Sequence, residues 1–379
     1  MGFYRFDSPY DWSRVASYRA SAQAVPGGMI DLSVGSPVDP VPDDIRQALA
    51  GSSDSANAHG YPSVAGTEEL RAAVPEWFQL HYGVDFNAIG ADFVPTVGSK
   101  EAVALMVSLL HLGPGDIVVQ PEISYPTYEI GTQLAGAEVL KVKDVADVDS
   151  WRSIAGVRAI WVNSPSNPTG DVLSSEQMRG IVAAAREIGA VVLSDECYGL
   201  LTWPQDADVS HAPAAPCMLQ PDVCDGGAKG ILVLYSMSKQ SNMAGYRTAL
   251  IAGDCDIVRP MTVYRKQIGQ IVPGPVQAAM VAALRDGDAV AVQRARYGRR
   301  LHMLVDGLRV YGYDARMPQG ALYVWVRAKS GDCWNDMADL ARLGIIASPG
   351  EFYGDPSSLR FSSTATDEAI REVVARLSA

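Results

Sequence analysis

Short runs of apolar residues alternate with longer helical patterns through the middle of this 379-residue chain. The strand runs are rich in Val, Ile and Leu with little polar alternation, which is typical of strands that helices cover on both faces. Predicted strands span 116–120, 159–163, 190–195, 231–235 and 249–253, and predicted helices span 99–112, 127–135 and 174–188. In the last helix, Ser174 followed by Gln177 has the pattern of a capping box. The sequence therefore predicts an α/β fold with a mostly parallel sheet covered by helices.

The pattern of predicted elements changes after Pro273. A helical pattern at 277–284 and a long arginine-rich helix precede a predicted strand at 322–326 and a predicted helix near 332–343. These features indicate a second, smaller α+β domain, and the length of the chain suits two domains. We expect an N-terminal arm at 1–41 that returns to the small domain, a large domain at 42–273 and a small domain at 274–379.

The charge balance limits the possible partners. The net charge is −12 and the pI is near 4.9, which argues against nucleic acid as a partner. The five cysteines form no Cys-x-x-Cys pair and the five histidines, His211 among them, show no metal-ligand spacing. We therefore expect a cytoplasmic protein without a metal site. No apolar run approaches the roughly 18 residues of a membrane span, and the beginning lacks an apolar signal-peptide core, so we expect no membrane segment.

Polar side chains follow three of the predicted strands. Asp195 and Tyr198 come after the run at 191–193, Asn163 and Asn167 after the run at 160–162, and Lys239 after the run at 231–235. Ligands of open α/β sheets bind at the carboxyl ends of the strands. We therefore expect these side chains to share one ligand site.

The segment 236–239, Ser-Met-Ser-Lys, places a lysine beside groups that suit a phosphate. An amine that forms an imine must be held rigidly and partly desolvated, and the two serines with Arg247 offer hydroxyls and a guanidinium fork. The segment 98–100 opens a predicted helix, whose free N–H groups also favour a phosphate. Pyridoxal phosphate (PLP) joins an aldehyde to a phosphate and is bound by enzymes through a lysine. Ser-x-Ser-Lys alone also occurs in surface turns.

Four further side chains have two readings each. Asp195 suits a protonated pyridine nitrogen or a turn, and Asn167 suits a ring oxygen or the backbone of a Pro/Gly turn. Tyr125 either lies against a flat ring or is simply packed. Arg360 interrupts an apolar run and needs an anion, which is either a substrate carboxylate or a protein carboxylate.

The order and spacing of these motifs resemble those of the fold-type I PLP aminotransferases of the aspartate aminotransferase superfamily, over nearly the whole chain. The resemblance is carried by Gly35, Tyr61, Gly66, Leu70, Arg71, the segments 98–101 and 167–170, Tyr125, Asp195, Tyr198, the segment 236–239, Arg247 and Arg360.

The resemblance implies a role for each matching residue around the cofactor ring. Lys239 would be the Schiff-base lysine and the general acid/base, and Asp195 would pair with the pyridinium nitrogen. Tyr198 and Asn167 would bond the ring oxygen, and Tyr125 would stack on the ring.

It also implies how the phosphate and the substrate are held. The phosphate would be bound by Ser99 and Lys100 through their N–H groups, and by Ser236, Ser238 and Arg247. Tyr61 would reach the phosphate of the neighbouring subunit, which implies a homodimer with shared sites. Arg360 with Gly35 and Asn167 would hold the substrate α-carboxylate.

A closer resemblance is to the actinobacterial N-succinyldiaminopimelate aminotransferases, carried by the segments 31–40, 194–198, 272–280 and 349–354. It implies amino transfer between glutamate and an N-succinylated keto acid of lysine biosynthesis. Where many relatives have Gly-Thr or Ala-Thr, this chain has Ser99-Lys100, and we expect the Lys100 ammonium to read a second anionic group if it faces the cleft.

Other activities use the same motifs. An aminotransferase for another amino acid and a PLP β-lyase share this scaffold, and a PLP-binding regulator without turnover is a third alternative. We expect no DNA-binding regulator, because the sequence shows no helix-turn-helix segment or basic stretch, and no nicotinamide dehydrogenase, because no Gly-x-Gly-x-x-Gly follows a strand.

Overall fold

The computed structural model describes residues 10–204 and 213–379. The first nine residues of the predicted arm, and His211, lie outside the described residues.

A seven-stranded sheet forms the centre of the larger part of the chain. Its strands are β2 (Ala91–Val97), β3 (Ile117–Pro121), β4 (Glu138–Val142), β5 (Val157–Asn163), β6 (Val191–Asp195), β7 (Ile231–Ser236) and β8 (Thr248–Asp254). Their order is β2-β8-β7-β6-β5-β3-β4, and β8 pairs antiparallel with both neighbours while the remaining pairs are parallel. The predicted α/β fold with a mostly parallel sheet is confirmed.

The two strands that the sequence analysis missed are the edges of this sheet. β2 contains Asp92 and Pro95, and β4 contains Glu138 and Lys141, so neither is a continuous apolar run. Edge strands tolerate proline and charge because one side makes no ladder hydrogen bonds. The five inner strands lie where they were predicted, with bounds that differ by one or two residues.

Helices cover both faces of the sheet. They are α2 (Asp43–Gly51), α3 (Ala56–His59), α4 (Glu68–Tyr82), α5 (Phe86–Ile89), α6 (Ser99–Leu109), α7 (Thr127–Ala135), α8 (Ser175–Glu187), α9 (Met237–Gln240), α10 (Cys255–Gln267) and α11 (Gly274–Arg285). The predicted capping box at α8 is present, with Ser174 and Gln177 bonding each other's backbone.

A second apolar core belongs to the smaller part of the chain. Its elements are α1 (Ala16–Gln23), β1 (Ile30–Asp31), α12 (Gly287–Val310), β9 (Tyr323–Arg327), α13 (Cys333–Arg342), β10 (Ile345–Ile346), β11 (Ser348–Pro349), β12 (Ser358–Ser362) and α14 (Asp367–Leu377). β1 pairs with β10, so the N-terminal segment is part of this unit. Val15 and Leu32 are buried in the same core as Leu301 and Phe361.

Helix α11 packs with the large sheet. Its residues Ala279 and Met280 share a core with Ile231, whereas Tyr297 in α12 belongs to the second core. We therefore propose a domain boundary within α12; the sequence analysis proposed one after residue 273. In the part of the chain that the structure describes, no helix is long and apolar enough to cross a membrane.

Candidate active site

The carboxyl ends of β5, β6 and β7 open into a cavity of about 570 Å³ between the two cores. Every site residue predicted from the sequence lines this cavity except Tyr61, which is fully exposed on the surface. The predicted residues that line it are Gly35, Ser99, Lys100, Tyr125, Asn167, Asp195, Tyr198, Ser236, Ser238, Lys239, Arg247 and Arg360.

Lys239 lies in the short helix α9, directly after β7. Ser236 caps this helix by accepting a hydrogen bond from the Ser238 N–H at 3.1 Å, which fixes the turn that presents the lysine. The Lys239 ammonium donates to the carbonyl of Gly35 and faces the cavity. Burial lowers the pKa of Lys239 and so favours its neutral, nucleophilic form.

A cradle of polar groups that suits a phosphate forms where α6 begins. Gly98 precedes α6 with φ +78°, and no side chain caps the first turn of the helix. A Cβ at Gly98 would lie 2.2 Å from Nη2 of Arg247, so glycine is what lets this guanidinium approach the helix N-terminus. The hydroxyls of Ser236 and Ser238, with their oxygens 2.8 Å apart, line the same part of the cavity. Backbone N–H groups, hydroxyls and a guanidinium together suit a phosphate dianion.

Asp195 is a buried carboxylate at the end of β6. Its Oδ2 accepts from the Tyr128 hydroxyl at 2.9 Å and its Oδ1 from the backbone N–H of Cys197 at 3.2 Å. Burial raises the pKa of Asp195, and no cation of the described residues forms an ion pair with it. A buried carboxylate with neutral donors alone is stabilised by a cationic ligand, such as a protonated ring nitrogen.

Arg360 has the opposite charge to Asp195, and it too is buried with neutral partners. It lies in β12, is 4% exposed, and donates to Asn167 Oδ1 and to the carbonyl of Ser33, both at 2.7 Å. Its Nε has no hydrogen-bond partner within the described residues. The guanidinium lies 4.0 Å from the ring centroid of Tyr323 and 4.6 Å from that of Tyr353. The protein carboxylate that the sequence analysis left open is absent from these contacts, so the arrangement suits a ligand carboxylate.

Tyrosines complete the floor of the cavity. The Tyr198 and Tyr323 hydroxyls are 2.9 Å apart, and a Cβ at Gly35 would lie 2.2 Å from the Tyr323 oxygen. Glycine at 35 is therefore required for Tyr323 to reach Tyr198. The Asn167 amide uses its oxygen on Arg360, and its Nδ2 has no partner among the residues described.

A family model supplies the identification. The model described as aminotransferase class I and II matches residues 27–377. The chain belongs to this family. It is 42% identical to the probable aminotransferase Rv1178 of Mycobacterium tuberculosis, over 97% of this chain and 84% of that protein. It is 39% identical to the 4-dedimethylamino-4-oxo-anhydrotetracycline transaminase OxyQ of Streptomyces rimosus, over 97% of this chain and 98% of that protein.

More distant relatives agree in fold. An LL-diaminopimelate aminotransferase of Dehalococcoides mccartyi is 28% identical, over 97% of this chain and 95% of that protein. A solved structure of a Thermus thermophilus aspartate aminotransferase single mutant aligns with a TM-score of 0.84 at 24% identity, over 100% of this chain and 99% of that chain. The chain is thus an aminotransferase of the aspartate aminotransferase fold.

Aminotransferases of this family are PLP-dependent, and the residues present fit that cofactor. The buried Asp195 has no cationic partner among the described residues and suits a pyridinium. The uncapped start of α6, the Gly98 cradle and Arg247 suit the phosphate. Lys239 faces the same cavity with a lowered pKa.

The sequence analysis missed several residues of the site. Tyr128 stands three residues after Tyr125, in the first turn of α7, and this short spacing was the available signal. Tyr323 and Tyr353 come from the small domain, and the wall formed by Tyr10, Trp12, Ala16 and Arg19 comes from the N-terminal segment. Their places depend on packing between segments more than a hundred residues apart, which no local pattern encodes.

Proposed function

We propose that this aminotransferase acts on N-succinyl-LL-2,6-diaminopimelate with 2-oxoglutarate, giving N-succinyl-2-amino-6-oxopimelate and glutamate in lysine biosynthesis. The observation that carries this proposal is the position of Lys100. Its ammonium lies 5.8 Å from the ring centroid of Tyr10 and 6.0 Å from that of Tyr125, at the cavity, and no described carboxylate pairs with it. An unpaired cation here suits a second carboxylate on the substrate.

The charges of the cavity favour the succinylated compound over LL-diaminopimelate itself. Free LL-diaminopimelate carries an ammonium at its far end, and Asp195 is the one acidic residue among the described lining residues. Succinylation removes that ammonium and adds a carboxylate. A site with cations at its outer end therefore accepts the acylated substrate and repels the free diamine.

The proposed reaction uses Lys239 as the residue that binds the cofactor and moves the proton at Cα of the substrate. When bound, PLP supplies the electron sink for the negative charge that develops at Cα. Asp195 would hold the proton on the ring nitrogen, Tyr198 and Asn167 would donate to the ring oxygen, and Tyr125 would pack against the ring. The phosphate would be held by the backbone N–H groups of Ser99 and Lys100 and by the side chains of Ser236, Ser238 and Arg247, which leaves the Lys100 ammonium free for the substrate.

The substrate is oriented by Arg360. Its guanidinium accommodates the α-carboxylate between Asn167 and the backbone at Gly35, so that the Cα–H bond faces Lys239. Held this way, the amino acid presents one carboxylate to the interior of the protein and its long side chain to the outer end of the cavity. This orientation converts a bimolecular encounter into a positioned proton transfer.

We further propose a cytoplasmic homodimer with shared sites. Tyr61 is fully exposed in the single chain, as is expected of a side chain that binds the phosphate in the neighbouring subunit.

A substrate panel tests the proposed reaction. With 2-oxoglutarate as acceptor, glutamate formation is compared for N-succinyl-LL-diaminopimelate, LL-diaminopimelate, aspartate, alanine and phenylalanine, and cystathionine is assayed for β-elimination. We expect the succinylated compound to have the highest kcat/KM. A higher kcat/KM for LL-diaminopimelate or for another member of the panel would replace the proposed substrate and leave the aminotransferase in place.

The variant Lys100→Met tests the role of the distal cation. We expect kcat/KM for the succinylated substrate to fall roughly 10-fold or more, since a charge-assisted hydrogen bond is lost. Lys143→Met, which removes an exposed lysine outside the cavity, is the matched control. Unchanged kinetics of Lys100→Met with every dicarboxylic substrate would contradict this role.

A further inference from the structure

The N-terminal segment forms one wall of the active-site cavity. Trp12 and Arg19 line the cavity from a 3₁₀ turn (Trp12–Val15) and from α1. The segment is held on the small domain: the Trp12 ring contacts Phe352 with centroids 5.0 Å apart, and Arg14 forms an ion pair with Glu351 at 2.7 Å. The wall is therefore a packed part of the site.

Arg19 is oriented by its contacts and keeps free hydrogen-bonding capacity. Its Nη2 donates to Asp31 Oδ2 at 2.8 Å and to Ser33 Oγ at 3.3 Å, while Nη1 and Nε have no partner within the described residues. Asp31 does not line the cavity; it also accepts from the Ser33 N–H at 2.9 Å and so fixes the strand that carries this contact. These contacts therefore fix the orientation of the guanidinium, and two of its donor nitrogens remain available for a ligand.

Ser33 contacts both Arg19 and Arg360. Its hydroxyl contacts Arg19, and its carbonyl accepts from Arg360 at 2.7 Å. The guanidiniums of Arg19 and Arg360 therefore contact the hydroxyl and the carbonyl of the same residue, and a single elongated ligand can reach both. Trp12 lies beside this guanidinium, 5.8 Å from ring centroid to Arg19 Cζ, and offers apolar surface to the methylenes of such a ligand.

The proposed reaction assigns no ligand anion to Arg19, whose Nη2 pairs with Asp31. Five cations line the cavity within the described residues. Lys239 serves the chemistry, Arg247 the phosphate, Arg360 the α-carboxylate and Lys100 the far carboxylate of the diaminopimelate backbone. N-succinyl-diaminopimelate has one more carboxylate, at the end of its acyl group. Asp31 compensates part of the Arg19 charge but occupies only one of its nitrogens.

We propose that Arg19, beside Trp12, binds the carboxylate of the substrate's acyl group, so that the enzyme selects an N-succinyl over an N-acetyl substrate. The inference rests on the proposed function, because it names the residue that reads the succinyl end. A planar guanidinium with two available donor nitrogens pairs with a carboxylate, and the indole excludes water from one side of the pair.

The test uses two substrates that differ in this carboxylate. Initial rates with N-succinyl- and N-acetyl-LL-diaminopimelate are measured on the PLP-loaded wild type, on Arg19→Gln and on Arg19→Lys. We expect the wild type to prefer the succinyl compound in kcat/KM by roughly 10- to 100-fold, mainly through KM. In Arg19→Gln the ratio falls close to one, and Arg19→Lys retains an intermediate ratio because the charge remains without the fork.

Arg371→Gln is the matched control, since Arg371 is also ion-paired, with Glu368 at 2.9 Å, but is exposed and does not line the cavity. We expect it to keep the wild-type ratio, and the visible absorption of bound PLP reports that each variant is folded. Equal use of both substrates by the wild type, or a ratio unchanged in Arg19→Gln, would overturn the inference while the proposed function stands. A wild type that converts neither substrate would refute the proposed function, and the inference with it.

Discussion

Asp195, Arg360 and Lys239 are among the cavity side chains whose charge or basicity no ion pair with a described residue balances. Asp195 is held by a hydroxyl and a backbone N–H, Arg360 by two carbonyl oxygens, and Lys239 by a carbonyl. In the interior such groups are stabilised when a ligand brings the opposite charge. The site is therefore preorganised for a pyridinium at one point and a carboxylate at another, which is how electrostatic complementarity is built before the substrate arrives.

Lys239→Ala tests the central residue. The phosphate cradle and Asp195 remain, so we expect PLP to bind but turnover to fall by at least the roughly 10²–10⁴-fold that a positioned general acid/base contributes. Dialysis against PLP followed by absorption and activity measurements checks both halves. An alanine variant with wild-type turnover would contradict the assignment.

Glu196 predicts a pH dependence of stability. It is buried, its Oε1 accepts from the Ser194 hydroxyl at 2.8 Å and the Met218 N–H at 2.9 Å, and burial raises its pKa to about 7. Because the folded pKa lies above the ordinary value of 4.5, the folded state binds the extra proton, and stability falls as pH rises from about 4.5 to about 7. Glu196→Gln keeps the acceptor oxygen and removes the titration.

Urea unfolding of both proteins at about pH 5 and pH 7.5 measures the effect. We expect the free energy of unfolding of wild type, relative to Glu196→Gln, to be lower at the higher pH. A constant difference between the two proteins across this range would show that Glu196 titrates as an exposed carboxyl does.

Much of the chemistry could be predicted from residues alone, for a physical reason. Apolar strands end at or shortly before Lys239, Asp195 and Asn167. A local pattern therefore places these three side chains at the carboxyl-terminal ends of the strands. Tyr323 could not be found this way, because its contact with Tyr198 joins two domains across 125 positions of sequence. The readings of Asp195 and Arg360 that the sequence left open depend on which atoms surround them, and that is a property of the packed structure.

At the scale of elements, the site is formed by the ends of strands and the beginning of a helix. β6 and β7 end at Asp195 and Ser236, α6 begins at Ser99 after Gly98, and the cavity lies where these ends meet. The inner strands are predictable because burial on both faces demands continuous apolar runs. The edge strands are not, because their exposed sides accept the polar residues that read as loop.

Gly98→Ala tests the junction of β2 and α6. The alanine Cβ would lie 2.2 Å from Arg247 Nη2 and displace the guanidinium, so we expect PLP affinity to fall roughly 10-fold or more. Gly115→Ala is the matched control: Gly115 also has positive φ (+90°), but a Cβ there meets nothing within 4 Å. Both variants place a Cβ at a positive φ and carry backbone strain of about 1–3 kcal/mol, and only the first alters the cradle.

Titration of each apo-variant with PLP, followed by absorption, separates strain from displacement. We expect Gly115→Ala to bind PLP as wild type does. Equal losses of affinity in both variants would mean that strain alone, and not contact with Arg247, explains glycine at 98.

At the scale of the whole molecule, two cores flank one cavity, and the N-terminal segment belongs to the second of them. Val15 and Leu32 are buried in the small-domain core, and Arg19 and Gly35 from the same stretch line the cavity. The sequence indicated an arm that returns to the small domain, but its role as an active-site wall follows from tertiary packing. The proposed second subunit would add Tyr61 to this arrangement.

Subunit mixing tests the shared site. Tyr61→Ala and Lys239→Ala each lack one component, and in a hybrid dimer one site regains both Tyr61 and Lys239. We expect each variant alone to be impaired in activity or PLP affinity, and joint refolding of the two to restore activity at limiting PLP. No recovery in verified hybrids would contradict a phosphate contact across the interface.

The most direct measurement of the central claim is the absorption spectrum of the PLP-loaded enzyme under single-turnover conditions. The spectrum is recorded before and after mixing with glutamate, and separately with N-succinyl-LL-2,6-diaminopimelate. We expect both compounds to convert the visible band of the lysine-bound cofactor to the band of pyridoxamine phosphate. Conversion by glutamate alone would contradict the proposed substrate, and the absence of a visible band in PLP-saturated protein would contradict the role of Lys239.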